Sequence, residues 1–329
     1  MQLEETRSPH SLAPAKVFHH SWFAMNTRFS MVLVGVDAER AEALARAAER
    51  DLRACERLMS RFDAESPVSG LNRRAAKEAV EPPAELWRIL ALCGDYWRRT
   101  GGAFDITLWP LNRLWREQMS RGEEPTEVVL QQALEQTGFH RIHFDESART
   151  IRFERAGMSL DLGGFGKGYA LERLADGLRT AGVERAFLSF GESSVTVLGS
   201  HPHGPAWPVG VSNIFPPHEP VHTFPLRDAS LSTSGTAPFN AVGGPRVTKR
   251  ILGQIIHPLS GRPIEGYRTL SVASPSGIEA EVLSTALLIT PERDRAGLLS
   301  SFSTVSAVEI VYDSNAGRFA PRIEWKYGV

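Results

Sequence analysis

The chain has 329 residues, of which 42% are apolar and 23% are charged, and its formal net charge at pH 7 is −1. These values are typical of a soluble globular protein with enough residues for one large domain or two ordinary ones. The charged residues are scattered, so no basic face predicts binding to nucleic acid or to an anionic membrane surface. Cys55 and Cys93 lie in helix-like apolar patterns and are predicted to be buried thiols.

The N-terminal sequence MQLEETRSPHSLAPAK contains acidic residues and proline but lacks the apolar segment of a signal peptide. No apolar run in the sequence is long enough to cross a membrane. For the chain as it is written we therefore expect a cytoplasmic protein. We expect residues 1–20 to form a loosely held tail, and residues 21–329 to form a single compact, two-lobed domain.

The first third of the chain has the periodicity of helices. A long amphipathic helix is predicted with Asp37 as its N-cap and with an apolar stripe that runs from Leu44 to Met59. A second helix is predicted between Pro82-Pro83 and Gly101-Gly102. Residues 116–127 are polar and charged, so we expect them to form an exposed connection.

The second half of the chain is dominated by short strand-like runs, with a helix after Gly168 and another after Ser276. The strand-like runs are RIHF, TIRFE, MSLDL, RAFLSF, WPVGVS, LGQII, TLSVAS and AVEIVY. Strands interrupted by a few helices predict an α+β fold with mixed or antiparallel sheets and packed helices, not a regular βαβ alternation.

A glycine-rich segment, SLDLGGFGKGYALERL at residues 159–174, is the most informative part of the sequence. A strand-like run ends at Asp161, four glycines follow, and an amphipathic helix begins near Lys167. Glycines let a backbone approach a ligand, and a helix N-terminus offers free N–H groups to an anion. Tyr169 follows Gly168, which rules out both a Walker A loop and a dinucleotide-binding fingerprint. A phosphate site and a purely steric turn are equally good interpretations of this segment alone.

A further helix is predicted from the capping pattern Ser276-x-x-Glu279 to a stop at Pro291. Helical spacing places Glu281 and Thr285 together at one edge of its buried stripe. A carboxylate and a hydroxyl one turn apart are hard oxygen ligands for Mg²⁺, which completes its octahedron with water and substrate phosphate. For this pattern alone, a solvated glutamate and a packing threonine are the more common interpretation.

Seven short motifs, from about Met25 to near the C-terminus, resemble those of the ApbE family, the FAD:protein FMN transferases. The matching segments are Met25-Asn26-Thr27, MSRFDAESPVSGLN (59–72), GAFDIT (102–107), DLGGFGKGYA (161–170), Thr233-Ser234-Gly235, QIIHPLSGRP (254–263) and AEVLSTAL (280–287). Each motif is weak by itself, but their common order makes the resemblance specific.

The resemblance implies an ApbE-like α+β fold with bound FAD and Mg²⁺, and transfer of FMN to a Thr or Ser hydroxyl of an acceptor flavoprotein while AMP leaves. It implies that Glu281, Thr285 and the carbonyl of Gly164 hold the metal, and it leaves a homodimer open. The residues implied to line the FAD site are Met25, Phe62, Asp63, Ala64, Ala103, Phe104, Asp105, Asp161, Lys167 and Ser234. Several also have structural interpretations: Phe62 and Phe104 as core aromatics, and Asp105 as the cap of a turn.

The sequence departs from the family pattern at chemically sensitive positions. Gln254 stands where the family has a His that resembles a catalytic base, and Gln can position a hydroxyl but cannot accept its proton near neutral pH. His257 replaces an Asp and is either a substitute catalytic group or a turn residue. Glu281 replaces the metal-binding Asp and is one methylene longer. Glu192 replaces the second glycine of a Gly-Gly pair, and Glu172 replaces an Asp.

Three functions therefore stay open at the level of sequence. The first is an FMN transferase with altered catalytic residues, and the second is an enzyme that hydrolyses FAD to FMN and AMP. The third is a divergent paralogue that binds flavin, or a partner protein, without chemistry. Gln254, His257 and Glu192 favour the third, whereas the intact glycine segment and the Glu281/Thr285 pair favour a retained phosphate and metal site.

Overall fold

A computed structural model describes residues 16–191, 193–215, 219–236, 252–302, 305–315 and 318–328. Its strands are β1 (Val17–Ala24), β2 (Thr27–Val34), β3 (Ile142–Asp145), β4 (Thr150–Phe153), β5 (Ala186–Phe190), β6 (Ser194–Leu198), β7 (Trp207–Ser212), β8 (Pro220–Leu226), β9 (Ala229–Gly235), β10 (Leu252–Ile256), β11 (Pro263–Glu265), β12 (Arg268–Ser274), β13 (Ser306–Asn315) and β14 (Arg318–Tyr327). Its helices are α1 (Ala38–Met59), α2 (Pro67–Arg74), α3 (Ala84–Arg99), α4 (Trp109–Ser120), α5 (Glu127–Leu134), α6 (Gly166–Thr180), α7 (Gly277–Ile289) and α8 (Glu292–Leu299).

The central element is an eight-stranded sheet in the order β1-β2-β5-β6-β9-β12-β13-β14. Every neighbouring pair in it is antiparallel. Helix α7 packs against β9 and β12 and also against α6, which in turn contacts α1. Strands β7 and β8 pair with each other and contribute to a second apolar cluster with residues of β6. The α+β prediction with antiparallel sheets and packed helices is confirmed.

The two helices predicted in the first third of the chain are present, and each begins at the residues that were predicted to start it. Helix α1 begins after Asp37, whose Oδ1 accepts a hydrogen bond from Arg40 N at 2.9 Å. Helix α3 begins after Pro83 and ends at Arg99, just before the predicted glycines. Cys55 and Cys93 are buried free thiols, as predicted.

The predicted strand MSLDL is wrong, because residues 158–162 belong to no β-strand. The side chain of Asn72 takes the place of a strand. Its Oδ1 accepts from Leu160 N at 2.7 Å and its Nδ2 donates to Leu160 O at 3.1 Å. Asp161 N donates to Ile106 O at 2.7 Å. The backbone groups of Leu160 are therefore hydrogen-bonded by the side chain of Asn72, and the N–H of Asp161 is hydrogen-bonded by the carbonyl of Ile106.

The predicted exposed connection at residues 116–127 is wrong for its first part, because α4 continues to Ser120. Trp115 anchors this helix: it is only 1% exposed, and its Nε1 donates to Gly261 O at 2.7 Å. The contact ties α4 to the turn between β10 and β11. Leu111 and Met119 of the same helix are buried in the same apolar cluster as Trp115, so α4 has an apolar face along its length.

The boundary of the predicted N-terminal tail also changes. Residues 1–15 lie outside the described residues, but Val17 to His20 belong to β1 and pair with β2, which gives them backbone partners in the sheet. Glu192 lies outside the described residues as well. In the described part of the chain, no helix combines the length and the apolar character needed to cross a membrane.

Candidate active site

A cleft of about 210 Å³ opens where four of the predicted motifs meet. Its walls come from the loop after α3, the glycine-rich segment before α6, strand β10, and helix α7. Motifs that are far apart in sequence are thereby brought to one place. The predicted site residues that line this cleft are Ala103, Phe104, Asp105, Asp161, Gly164, Gln254 and Thr285.

The glycines of the glycine-rich segment serve two purposes. Gly163 lies in the cleft wall and its N donates to Asp161 Oδ1 at 2.9 Å, which closes a short turn. Gly168 instead allows α6 and α7 to cross closely, since a Cβ there would lie 2.4 Å from Gly277 O and 2.9 Å from Glu281 Cβ. The ligand-facing and the steric interpretations of the segment therefore apply to different glycines.

Arg61 and Asp161 form an ion pair beside the cleft, with Arg61 Nε 2.8 Å from Asp161 Oδ2. The guanidinium carbon of Arg61 lies 3.3 Å from the ring centroid of Trp109 and 3.9 Å from that of Phe62. Burial lowers the pKa of Arg61 from its ordinary value, and the charge of Asp161 opposes this shift. The sequence analysis missed Arg61, although it directly precedes the predicted Phe62. Phe62 is 74% exposed, so its interpretation as a core aromatic is wrong.

Asp105 caps a turn, which was the structural alternative at the level of sequence, and it also lines the cleft. Its Oδ1 accepts from Thr107 N at 2.8 Å and from Thr107 Oγ1 at 2.6 Å, and its Oδ2 accepts from Phe139 N at 3.0 Å. Burial raises the pKa of Asp105, and these hydrogen bonds oppose the increase. Its neighbour Phe104 is 4% exposed, which agrees with a packing role at the cleft wall.

Glu281 is buried, and three side-chain donors surround its carboxylate. Its Oε1 lies 2.9 Å from Lys167 Nζ. Its Oε2 accepts from Ser194 Oγ of β6 at 2.8 Å and from Ser232 Oγ of β9 at 2.9 Å. Glu281 is 4% exposed and is not among the described residues that line the cleft. The longer side chain thus reaches the central sheet.

A chain of hydroxyl groups leads from this carboxylate to the cleft. Ser232 Oγ lies 3.2 Å from Ser284 Oγ, which lies 2.8 Å from Ser234 Oγ, which in turn lies 3.0 Å from Thr285 Oγ1. The sequence analysis found Ser234 and Thr285 but missed the other two serines. The alternation of Ser230, Ser232 and Ser234 along β9 was a usable signal, because alternate residues of a strand share one face.

The oxygen ligands at the predicted metal position do not fit Mg²⁺. Three of the four or so acceptor sites of the Glu281 carboxylate are already used, one of them by an ammonium group. Mg²⁺ requires direct oxygen ligands in near-ideal octahedral geometry. We therefore assign no catalytic step to Mg²⁺.

His257 lies in the turn between β10 and β11 and lines a neighbouring cleft of about 330 Å³, which shares Ala103 and Ile289 with the first. Its Nδ1 accepts from Leu259 N at 3.2 Å, so the neutral ring carries its proton on Nε2. Burial lowers the pKa of His257. This geometry suits a hydrogen-bond donor, whereas a general base needs a free lone pair. Gln254, by contrast, is exposed in the first cleft.

The remaining predicted residues are not among those that line the cleft. Met25 and Asn26 form the β1–β2 turn with φ of 49° and 64°, a two-residue hairpin in which Asn tolerates the left-handed backbone. Asp63 Oδ1 accepts from Glu65 N at 2.9 Å, and Ala64 O accepts from an arginine side chain, so both organise the loop between α1 and α2.

The comparison with known proteins shows the family of this chain. The sequence profile of the ApbE family matches residues 25–308, and the chain belongs to this family of transferases. A curated relative in Treponema pallidum (strain Nichols), named FAD:protein FMN transferase, is 26% identical over 269 residues, which are 76% of this chain and 72% of that protein. The relative of the same name in Salmonella typhimurium (strain LT2) is also 26% identical and covers 80% of this chain and 76% of its own length.

Solved structures of ApbE proteins share the fold. The flavinyl transferase ApbE of Pseudomonas stutzeri, in its apo form, has a TM-score of 0.78 and 24% identity, over 95% of this chain and 96% of that one. The ApbE protein of Thermotoga maritima has a TM-score of 0.78 and 22% identity, over 94% of this chain and 97% of that one. At these identities, the likeness establishes the architecture of the chain.

Proposed function

We propose that this chain binds FAD in the cleft and transfers the FMN part to a Thr or Ser hydroxyl of an acceptor flavoprotein, with release of AMP. The observation that carries the proposal is the convergence of seven predicted site residues on one cleft, from motifs up to 182 positions apart, Ala103 to Thr285. The curated relatives, named FAD:protein FMN transferase, support the same reaction class.

In this reaction the hydroxyl oxygen of the acceptor bonds to the phosphorus of the FMN phosphate. The bond from that phosphorus to the bridging oxygen breaks, AMP leaves with that oxygen, and the proton of the hydroxyl passes to solvent water. Gln254, exposed in the cleft, can orient the hydroxyl through its amide. Arg61 lies beside the cleft as a cation for the pyrophosphate, provided that its pairing with Asp161 opens when FAD binds.

The Mg²⁺ dependence that the resemblance implies is not part of this proposal, because three of the four or so acceptor sites of Glu281 are used by Lys167, Ser194 and Ser232. The reaction as proposed relies on side chains for positioning and for charge neutralisation. A homodimer, left open by the resemblance, remains a separate hypothesis that the mass of the protein in solution would test.

A second candidate function is FAD binding without transfer. Two observations favour it. Gln254 cannot accept a proton near neutral pH, and the unprotonated nitrogen of the neutral His257 ring already accepts a hydrogen bond from Leu259 N. A site that keeps FAD but lacks a base would hold its ligand intact. Hydrolysis of FAD to FMN and AMP is the third outcome to distinguish.

One experiment separates these functions. The purified protein is incubated with FAD and an acceptor domain that presents a Thr, and both AMP release and the mass of the acceptor are measured. Gln254→His is run in parallel, with Gln131→His on the exposed face of α5 as a control for an added imidazole. AMP together with an FMN-sized mass gain on the acceptor supports transfer. Intact bound FAD, with transfer only in Gln254→His, supports the second candidate.

Two other results overturn both candidates in different ways. AMP and free FMN without a change in acceptor mass indicate a hydrolase. Absence of FAD binding, measured by quenching of flavin fluorescence, removes the flavin site altogether. Transfer that increases equally in Gln254→His and Gln131→His would show that position 254 has no special role.

A further inference from the structure

The Glu281 carboxylate is held from three sides by elements that do not move independently. Lys167 belongs to the first turn of α6, Ser194 to β6 and Ser232 to β9, while Glu281 itself belongs to α7. The two serines are 1% and 2% exposed. The donor shell of the carboxylate is therefore part of the helix–sheet interface, and it is fixed by the same packing that holds α6 against α7.

The positive charge that balances this carboxylate is already present. Lys167 Nζ lies 2.9 Å from Glu281 Oε1, and the Lys167 side chain is 25% exposed while that of Glu281 is 6% exposed. A divalent cation on the same oxygen would be next to an ammonium group in a poorly solvated place, where like charges repel strongly. Such an ion could bind only if Lys167 left or lost its proton.

The other two expected metal ligands, Thr285 and Gly164, lie in the wall of the cleft. Thr285 and Gly164 line the cleft, whereas Glu281 does not, and Thr285 Oγ1 is hydrogen-bonded to Ser234 Oγ at 3.0 Å. The extra methylene of glutamate, relative to the aspartate of the family pattern, accounts for this arrangement, because it carries the carboxylate to the serines of the sheet. In the hydrogen-bond network, the hydroxyls of Ser232, Ser284 and Ser234 therefore stand between the Glu281 carboxylate and Thr285.

We infer that the ammonium group of Lys167 is the resident cation of this site, and that the chain binds FAD without a divalent metal ion. The inference rests on the proposed FAD site for its second half only. Its first half concerns the protein without ligand, so the two halves can be tested separately.

The first test measures Mn²⁺ as a probe of the metal position, by the loss of the electron paramagnetic resonance signal of free Mn²⁺. The wild-type chain is expected to bind no Mn²⁺ at this position. Lys167→Met is expected to bind one equivalent, because it leaves the carboxylate without its cation, and Lys167→Met combined with Glu281→Gln is expected to lose that binding again. Lys77→Met, at an exposed position, is the matched control and is expected to behave like the wild type.

One equivalent of Mn²⁺ on the wild-type chain that disappears in Glu281→Gln would overturn the inference. Glu281→Gln must therefore be folded for this decision, whereas a wild-type chain that binds no Mn²⁺ supports the inference without any variant. Circular dichroism of each variant shows whether its result can be compared.

The second test measures FAD affinity by fluorescence quenching, in EDTA and in MgCl₂. The inference predicts dissociation constants that agree within about twofold, since a metal without a binding site contributes no coupling to FAD. FAD binding that requires Mg²⁺ would overturn it. Absence of FAD binding under both conditions would refute the proposed function and the FAD half of the inference, while the Mn²⁺ result would still decide the first half.

Discussion

Two ion pairs bracket the glycine-rich segment, and they have nearly the same length but different surroundings. Arg61–Asp161 measures 2.8 Å and lies beside the cleft, with aromatic rings on the guanidinium. Lys167–Glu281 measures 2.9 Å and lies beneath the cleft, with two serine hydroxyls on the carboxylate. We call the first pair open, because under the proposed function it exchanges partners with an anionic ligand. We call the second pair closed, because two serine hydroxyls of the sheet also hold its carboxylate. The length of an ion pair therefore indicates its role less well than the other groups that contact its two side chains.

The largest effect is expected from breaking the closed pair. Glu281→Ala leaves Lys167 without its counter-ion and leaves the hydroxyls of Ser194 and Ser232 without their acceptor. We expect the free energy of unfolding to fall by about 3 kcal/mol, the lower end for a broken buried pair, because Lys167 is partly exposed. Urea unfolding monitored by circular dichroism measures this loss.

Glu281→Gln is the control for this prediction, because it keeps an oxygen acceptor of similar shape and removes only the charge. It is expected to lose less stability than Glu281→Ala. A loss below about 1 kcal/mol in Glu281→Ala would be the size found for exposed pairs and would contradict the closed character of this one.

The next effect comes from the helix crossing that closes this pair. In Gly168→Ala, the added Cβ would meet Gly277 O at 2.4 Å and Glu281 Cβ at 2.9 Å, so α6 and α7 must separate. We expect a loss of about 2 kcal/mol, as for other overpacked sites. Gly177→Ala on the same helix is the matched control, since its Cβ would have no neighbour within 4 Å. There, a gain of about 0.5 kcal/mol is expected from helix propensity, and equal losses in both variants would exclude the crossing as the cause.

A change to the open pair, Arg61–Asp161, is expected to alter the affinity for the ligand more than the stability of the fold. Arg61→Lys keeps the positive charge but loses the planar group that stacks between Phe62 and Trp109 and pairs with Asp161. If FAD occupies the cleft, we expect its dissociation constant to rise about tenfold, which corresponds to 1.4 kcal/mol. Fluorescence titration measures it. Unchanged affinity together with a large loss of stability would mean that this pair is structural too.

The smallest effect is expected at His257, which belongs to neither pair. Burial lowers the pKa of His257 in the folded state, so the unfolded chain binds more protons once the pH falls below about 6.5. Stability should therefore decrease between about pH 7 and pH 5 more in the wild type than in His257→Asn, whose side-chain oxygen can still accept from Leu259 N. Burial and the charge of Lys326 also lower the pKa of His222, but that residue is present in both proteins and cancels. Parallel pH profiles would contradict this assignment.

Much of the fold could be predicted from local sequence, because the relevant physics is local. Asp37, the two prolines before α3 and Ser276 are capping signals, and the helices begin where these residues indicate. The prediction of a strand at MSLDL was wrong because the local pattern of the segment fits a strand. Its backbone is instead hydrogen-bonded by the side chain of Asn72, which is distant in sequence. Helix α4 was missed in part because the contact of Trp115 with Gly261 also lies far along the chain.

The sequence by itself determined the class of fold, the ends of the main helices and the set of motifs that meet at the cleft. These follow from backbone preferences and from the order of residues, which need no knowledge of distant partners. Only the tertiary structure decided what each charged residue does. It paired Arg61 with Asp161, turned Glu281 towards two serines of the sheet and engaged Nδ1 of His257. The reason is that the state of a buried polar group depends on which donors surround it, and those donors come from separate strands and helices.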